Sequence, residues 1–575
     1  MMEIQKFPAN MGELEIDFKH PNRALISGLY EETLTAAGKQ RTFLTYIPEN
    51  QEYCRPCLVT AIPSGENPAE WIETSGMKAF ADRNELFLHI AYCDGDKWDN
   101  SGADAEYING VYVKIQARDY YITMQDNIYL CAFGDASFAA HQAAKRMASE
   151  WSGMMTFGDL AEDLRFDRNI ERGEEDQGQL ELKIQGSAAQ LPVWMLVSSY
   201  EGNNKEAAEY WKEQNHVKGE PYSGQGCDYI WAPDPVRRLN EINEEHISQV
   251  RVAVSEKGCT AEDLENAWGY IRLARRHRGQ GGKCLRYYKD PIDCGAVLKT
   301  MEVDGMTRTW YEYVPASCTP DQKWPLVVTM HGRGGSAETF FDLSGISVVA
   351  EERKFIAVIP QAGIHQQKKN GLRNVLLWCG EYKGQPVDDV KFIREMIADI
   401  ETRLPVDHSR IYACGQSSGG MMSDVLGYSA GDLFAAVAPW SALRSPSRMC
   451  GTFEESEVKT PTMWIYGDKD FLCAGKGEDP DLPFPLDQEL RDVFAEKLEH
   501  MNLDIHKQLL HETYPISWCT FTNDEGVPLA VIGKVDNMVH ANYPELSWIS
   551  YDQFLSRYSK DENGNLYYCG RKVNL

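Results

Sequence analysis

The sequence predicts an α/β chain of two tandem domains, each a mostly parallel sheet with helices on both faces. Three observations predict it. The chain resembles itself in two halves, short apolar strands alternate with helical stretches, and one strand-to-helix turn carries a serine between glycines.

The self-similarity runs in order along the chain. "RTFLTYIPEN" (41–50) resembles "RTWYEYVPAS" (308–317), and "CLVTAIPSGENPAEWIETSG" (57–76) resembles "PLVVTMHGRGGSAETFFDLSG" (325–345). "NIYLCAFGDAS" (127–137) resembles "RIYACGQSSGG" (410–420), and "PVWMLVSSYE" (192–201) resembles "PTMWIYGDKD" (461–470). "ENAWGYIRLARRHRGQGGKCLRYY" (265–288) resembles "ELSWISYDQFLSRYSKDENGNLYY" (545–568). The offsets stay between 267 and 283 positions, which points to two copies of one domain. The boundary is expected near residues 289–296, giving domains 1–290 and 291–575. A chain of 575 residues also exceeds one ordinary core, since domains run to roughly 100–200 residues.

The elements of the second half follow from local pattern. "PLVVTMHG" (325–332) and "KFIAVIPQ" (354–361) read as buried strands, the first ending at a glycine turn. Residues 387–404 place Val390, Ile393, Ile397 and Ile400 on one helical face. "RIYACG" (410–415) is a short strand, and "GMMSDVLGYSA" (420–430) continues as a helix. "FAAVAPWSA" (434–442) and "TPTMWIYG" (460–467) are further strands. Short apolar strands alternating with helices imply a parallel sheet covered on both faces.

Composition narrows the function classes. Hydrophobic residues make up 43% and charged residues 25%, an ordinary globular balance. The formal net charge of -28 argues against nucleic acid and anionic membrane as partners. Acidic clusters such as "ERGEEDQ" (171–177) read as solvated surface. The fifteen cysteines are odd in number and form no compact framework. No basic-then-apolar leader opens the sequence, and no run of about 18 apolar residues occurs. These features lead to the expectation of a reducing cytoplasm. Cys54 and Cys57 form a lone C-x-x-C and read as two thiols at a strand start.

The turn Gly415-x-Ser417-x-Gly419 joins a strand to a helix, the context in which such a serine is held in a strained backbone with its hydroxyl exposed. Ser418 follows it, and its backbone N–H is an expected oxyanion donor. "HGRGG" (331–335) follows a buried strand, and its glycines let the main chain approach a substrate; Arg333 N–H is the second expected donor. "YGDKD" (466–470) ends the next relevant strand with two carboxylates, of which Asp470 is preferred over Asp468 to orient an imidazole. His540 alone among thirteen histidines lies past that strand in a loop before a final helix. The order nucleophile, acid, base results: Ser417, Asp470, His540. Trp378, Trp440 and Phe471 are expected in loops after strands, where they would hold an aromatic acyl group or a sugar ring.

On these stretches, with "YEYVPA" (311–316) and "VDDVKFIREMI" (387–397), residues 296–570 resemble polyhydroxybutyrate-depolymerase-like esterases, relatives of feruloyl and acetyl-xylan esterases of the α/β-hydrolase fold. The resemblance implies hydrolysis of a carboxylic ester through a serine acyl-enzyme, with no metal or cofactor. Two departures speak against a polyester substrate. Arg333 stands where depolymerases often carry a small residue, and "HANYPELSW" (540–548) replaces His-x-Trp-Pro. A feruloylated or acetylated plant oligosaccharide, or a related small ester, suits the sequence better. A hydroxybutyrate oligomer hydrolase, a prolyl-oligopeptidase-like peptidase, an acyltransferase and a non-catalytic binding protein are the alternatives, and the oligomeric state stays open.

The first half lacks the equivalents. Ser417 aligns with Gly134 or Ala136, with Ser137 nearby, and "HGRGG" aligns with "PSGEN" (63–67). Asp470 aligns with Glu201, and His540 with Cys259 or Thr260. Loss of nucleophile and base together predicts an inactive copy that shapes the cleft or mediates assembly.

Overall fold

The computed structural model describes residues 2–8, 11–52, 54–99, 102–116, 127–166, 174–176, 183–185, 189–233, 247–279, 282–367, 373–542 and 545–574. Most of the acidic cluster 171–177 lies outside the described residues.

Two large sheets carry the chain. The first contains β1 (Gly28–Ala36), β2 (Lys39–Ile47), β3 (Cys57–Ala61), β4 (Phe87–Ala91), β5 (Ile128–Phe133), β6 (Met154–Phe157), β7 (Val193–Val197), β8 (Tyr222–Gly224), β9 (Cys227–Trp231) and β10 (Val250–Val254). The second contains β11 (Val297–Val303), β12 (Met306–Tyr313), β13 (Trp324–Met330), β14 (Ile356–Pro360), β15 (Val406–Gln416), β16 (Ala436–Trp440), β17 (Thr462–Lys469), β18 (Gln508–Thr513), β19 (Ile516–Thr522) and β20 (Pro528–Val539). The first sheet runs β1-β2-β4-β3-β5-β6-β7-β10-β9-β8, with Ile4–Lys6 added beside β1; the second runs β11-β12-β14-β13-β15-β16-β17-β20-β19-β18. The order is the same strand for strand. So are the senses: a parallel centre from β4 to β10 and from β14 to β20, with antiparallel pairs at both edges.

Among the described residues, six α-helices accompany each sheet. They are α1 (Pro68–Thr74), α2 (Met77–Asn84), α3 (Ala103–Gln116), α4 (Ala136–Arg146), α5 (Gly202–Gln214) and α6 (Ala261–Ile271), then α7 (Ala337–Ser344), α8 (Ile346–Arg353), α9 (Asp389–Arg403), α10 (Ser418–Ser429), α11 (Gln488–His500) and α12 (Leu546–Gln553). Alternate residues of each central strand face opposite layers, as the two-residue pleat requires. On β13, Leu326, Val328 and Met330 pack with α9 and α10, whereas Val327 packs with α7, α8 and α12. On α9 the buried stripe is Phe392, Ile393, Met396, Ile397 and Ile400, and Val390 sits at its margin.

Equivalent tethers hold both halves. Tyr129 Oη donates to the Ala274 carbonyl at 2.7 Å, and Tyr412 Oη to the Tyr558 carbonyl at 2.7 Å. Beyond α4, buried Arg276 donates to the carbonyls of Ala148 and Trp151, each at 2.8 Å. Beyond α10, buried Lys560 donates to the carbonyls of Gly431 at 2.7 Å and Phe434 at 2.8 Å. These groups satisfy carbonyls in the turns that follow the two helices, and burial lowers the Lys560 pKa to about 7. Residues 288–296 join the halves, and Arg55–Glu338 (3.2 Å), Tyr288–Glu338 (2.6 Å) and Arg286–Asp342 (3.0 Å) bind them together.

Candidate active site

Ser417 occupies the bend between β15 and α10 with φ 56° and ψ −121°, a conformation that costs a serine energy and persists only where its surroundings impose it. The glycines on either side explain the imposition. A Cβ on Gly415 would lie 2.5 Å from the Met330 carbonyl oxygen, and one on Gly419 only 2.1 Å from it. Both positions therefore admit glycine alone, and β13 closes directly on the turn. Ser417 N–H donates to the Trp440 carbonyl at 2.9 Å, and its own carbonyl accepts from Met421 N–H at 2.9 Å. Ser418 opens α10, so its N–H belongs to the first helical turn, whose donors lack intrahelical partners.

Asp470 and His540 are brought together by strand pairing. Lys469 of β17 is in register with Val539 of β20, after a bulge at Gly467, and each functional side chain is the next residue along. A Cβ on Gly467 would lie 2.0 Å from the Met538 carbonyl oxygen, so glycine is required for the strands to close there. His540 Nδ1 is 3.0 Å from each oxygen of the fully buried Asp470 carboxylate. Its Nε2 is 2.8 Å from Ser417 Oγ. A carboxylate only accepts, so Nδ1 carries the proton and Nε2 accepts from the serine hydroxyl. Asp470 also accepts the Leu472 N–H at 2.9 Å, which orients its carboxylate. Asp470, rather than Asp468, carries the hydrogen bonds to His540.

The "HGRGG" loop lies against the serine: a Cβ on Gly332 would be 3.3 Å from Ser417 Cβ. His331 holds this loop. Its Nε2 accepts from Ala362 N–H at 3.0 Å and from the Gln361 amide at 2.9 Å, leaving Nδ1–H to donate to the Gly332 carbonyl at 2.7 Å. The Trp378 indole donates to the His331 carbonyl at 2.9 Å, and Gly334 N–H donates to the Leu376 carbonyl at 2.9 Å. Below them Arg308 and Asp389, both buried, pair at 2.5 Å; Asp389 accepts Cys379 N–H at 2.6 Å, and Arg308 donates to the Gln361 carbonyl at 3.1 Å. Sequence reading missed His331, Gln361, Arg308 and Asp389 in this role, because their partners lie far along the chain and no local spacing marks them. Arg333 presents its side chain at the surface, and partial burial lowers its guanidinium pKa.

The three aromatic expectations divide. Phe471 is 59% exposed and meets the His540 ring edge-on at 5.4 Å. Trp378 and Trp440 are corrected: both are buried core residues rather than cleft walls. Trp440 ends β16 and donates to Ser550 Oγ at 2.8 Å, and Trp378 is spent on the His331 carbonyl. Their indoles fill space between sheet and helices, where burial and a satisfied N–H outweigh any exposed role.

In the first half, Gly134 stands at the matching bend between β5 and α4, with φ +56°. Asp135 there accepts from Ser64 N–H at 2.9 Å, so the residue beside the bend is tied to the loop after β3. A Cβ on Gly158 would lie 2.6 Å from the Gly134 carbonyl oxygen, so the loops after β5 and β6 meet. Ser137 is buried on α4. Glu201 precedes α5 and is exposed, Cys259 is exposed, and Thr260 caps α6 in a capping box with Asp263.

Burial pushes the His331 pKa from the ordinary 6.5 down to about 4, and that of the first half's buried His141 down to about 3. Between these values and 6.5 the unfolded chain binds more protons than the folded one, so stability rises with pH across the window. It is present in full above 6.5 and is lost as the pH falls towards 4, by about 3 kcal/mol from His331 alone. Urea unfolding from pH 7 to pH 4 is expected to show this decline; a flat profile would mean that neither imidazole is buried neutral.

No family model matches the chain. It is similar to poly(3-hydroxyalkanoate) depolymerase C of Paucimonas lemoignei, 28% identical over 162 residues (27% of this chain, 37% of that protein). It is similar to feruloyl esterase B of Piromyces equi, 33% identical over 126 residues (22% of each chain), and to feruloyl esterase B of Thermothelomyces thermophilus, 30% identical over 133 residues (23% and 43%). The chain spans less than half the length of these three relatives. Among solved structures, acetyl xylan esterase from Aspergillus awamori matches at 13% identity and TM-score 0.31, covering 44% of this chain and 98% of that one. By sequence, the chain is similar to esterases of the polyhydroxyalkanoate-depolymerase and feruloyl-esterase kind, built on α/β sheets.

Proposed function

We propose that the protein is a serine carboxylic-ester hydrolase. The observation that carries this reading is the unbroken hydrogen-bonded series from Ser417 Oγ through His540 to the buried Asp470. His540 Nε2 takes the hydroxyl proton as Oγ attacks the ester carbonyl, and later passes it to the leaving alcohol. Asp470 keeps the imidazole in the required tautomer and stabilises the imidazolium. The N–H groups of Ser418 and Arg333 receive the oxyanion. Water, activated by the same imidazole, then releases the acid. The chain's own residues suffice for each of these steps.

The substrate reading is a feruloylated or acetylated plant oligosaccharide or a related small ester. Phe471, exposed beside His540, offers a face to an aromatic acyl group. A second reading, hydrolysis of hydroxyalkanoate oligoesters, draws on the depolymerase relative. A reducing compartment such as the cytoplasm belongs to this reading, because fifteen cysteines, an odd number, form no compact framework in the sequence. Among the described residues, no helix is long and apolar enough to cross a membrane. The first half reads as an inactive copy of the same domain, on the common strand order and on Gly134 at the bend.

A panel of methyl ferulate, acetylated xylan oligosaccharides, hydroxybutyrate oligomers and short nitrophenyl esters tests this. Phe471→Ala is expected to raise KM for methyl ferulate about two- to tenfold, the range of one aromatic contact, and to leave acetyl esters unchanged. Equal effects on both classes would remove Phe471 from acyl recognition, and turnover of hydroxybutyrate oligomers alone would select the second reading.

A further inference from the structure

The half without a serine at its bend sends an arm onto the other half. Residues 13–19 read "ELEIDFK", and Leu14, Ile16 and Phe18 are half-buried while Glu13, Glu15, Asp17 and Lys19 are exposed. The segment runs from a 3-10 turn closed by Leu14 N–H on the Met11 carbonyl to a turn closed by His20 N–H on the Asp17 carbonyl, and it lays its apolar side chains on a surface. The surface is the segment inserted between β14 and α9, together with the start of β12. Ile16 N–H donates to Tyr382 Oη at 3.3 Å, and the Phe18 ring meets the Tyr382 ring edge-on at 5.3 Å. The Phe18 carbonyl accepts Thr307 N–H at 2.8 Å, one residue before Arg308. The short 3-10 turn Met11–Glu13 lies against the strand Arg373–Leu376. Pro21 and Asn22 share a crevice with Arg308, Gln361 and Gly363.

These contacts fall on or beside the residues that hold the "HGRGG" loop. The loop is fixed from two strips of the insertion: residues 361–362, which grip His331, and residues 376–378, which receive Gly334 N–H and reach the His331 carbonyl. The arm backs both strips, one through Thr307 and Arg308, the other through Tyr382 and the strand ending at Leu376. The loop itself is glycine-rich and has little stiffness of its own. We propose that the arm of the first half is a positioning element for the second half's oxyanion loop, so that the half lacking a nucleophile serves catalysis by keeping the Arg333 N–H aimed. This rests on the reading of Ser417 as nucleophile. Its rationale is quantitative: a displacement of about 1 Å at a reacting centre costs on the order of a hundredfold in rate, although the displaced group makes the same ground-state contacts.

The test is Phe18→Ala in the full chain, with Phe18→Leu as the conservative variant and Ser417→Ala as control. Steady-state kinetics on a nitrophenyl ester and amide hydrogen exchange are both read. Phe18→Ala is expected to lower kcat about ten- to a hundredfold with KM within about threefold, and to speed exchange over residues 331–335, 361–362 and 376–378. Phe18→Leu is expected to restore most of the rate, because it keeps an apolar side chain on Tyr382. Faster exchange over the arm with native kcat and native exchange at 331–335 would overturn the proposal. Should Phe18→Ala fail to fold, Tyr382→Phe decides by the same two readouts: it removes only the acceptor for Ile16 N–H, a few-fold fall in kcat supports the proposal, and native values overturn it. The exchange readout does not depend on turnover. A fully active Ser417→Ala protein would therefore refute the nucleophile while leaving the arm's mechanical role separately measured.

Discussion

Replacing Ser417 with alanine lowers kcat at least about a thousandfold on every ester the native protein turns over, and abolishes labelling by a fluorophosphonate. The expected size follows from what is removed. Without Oγ no acyl-enzyme forms, and only the oxyanion donors and substrate binding remain to act on water, a residue worth roughly 10³–10⁴ over the uncatalysed reaction. The fold is expected to survive. The strain at φ 56° belongs to the backbone, which Gly415 and Gly419 hold in place, and the hydroxyl makes its hydrogen bond outward to His540. Circular dichroism and melting temperature should therefore match the native protein. Undiminished turnover would move the nucleophile elsewhere.

Asp470→Asn is the second large effect, with kcat falling on the order of 10⁴-fold. The carboxylate accepts the Nδ1–H hydrogen bond, each of its oxygens lying 3.0 Å from Nδ1. An amide in its place turns an NH₂ toward that nitrogen, which favours the tautomer protonated at Nε2 and leaves no acceptor for the Ser417 proton. The loss should appear in kcat with KM little changed, because the acid touches no substrate. Asp468→Asn is the contrast, expected to stay within about threefold of native, since the His540 contacts belong to Asp470. A reversed ranking of the two variants would reassign the acid.

Much of the site could be read from local pattern. Glycines at 415 and 419 announce a tight turn: a Cβ on Gly415 would lie 2.7 Å from the Gly419 carbonyl oxygen, a constraint that acts within a few residues of the serine. The order of strands and helices placed Asp470 at a strand end and His540 in a later loop before the final helix, and the structure joins them by the Lys469–Val539 register. The aromatic residues were less legible. Trp378 and Trp440 follow strands just as Phe471 does, yet only Phe471 is exposed. Their burial depends on Ser550 and His331, which lie 110 and 47 residues away.

The sequence by itself determined the alternation of strand and helix, the repetition of one pattern in two halves, and the single bend where a serine is held between glycines. These rest on periodicity and on steric limits that operate over a handful of residues. Only the tertiary structure decided which carboxylate faces the imidazole, which aromatics are spent in the core, what steadies the "HGRGG" loop, and where the arm from the first half lies. Such choices are settled by packing between segments tens to hundreds of residues apart, where burial and hydrogen-bond satisfaction, rather than local propensity, select the partner.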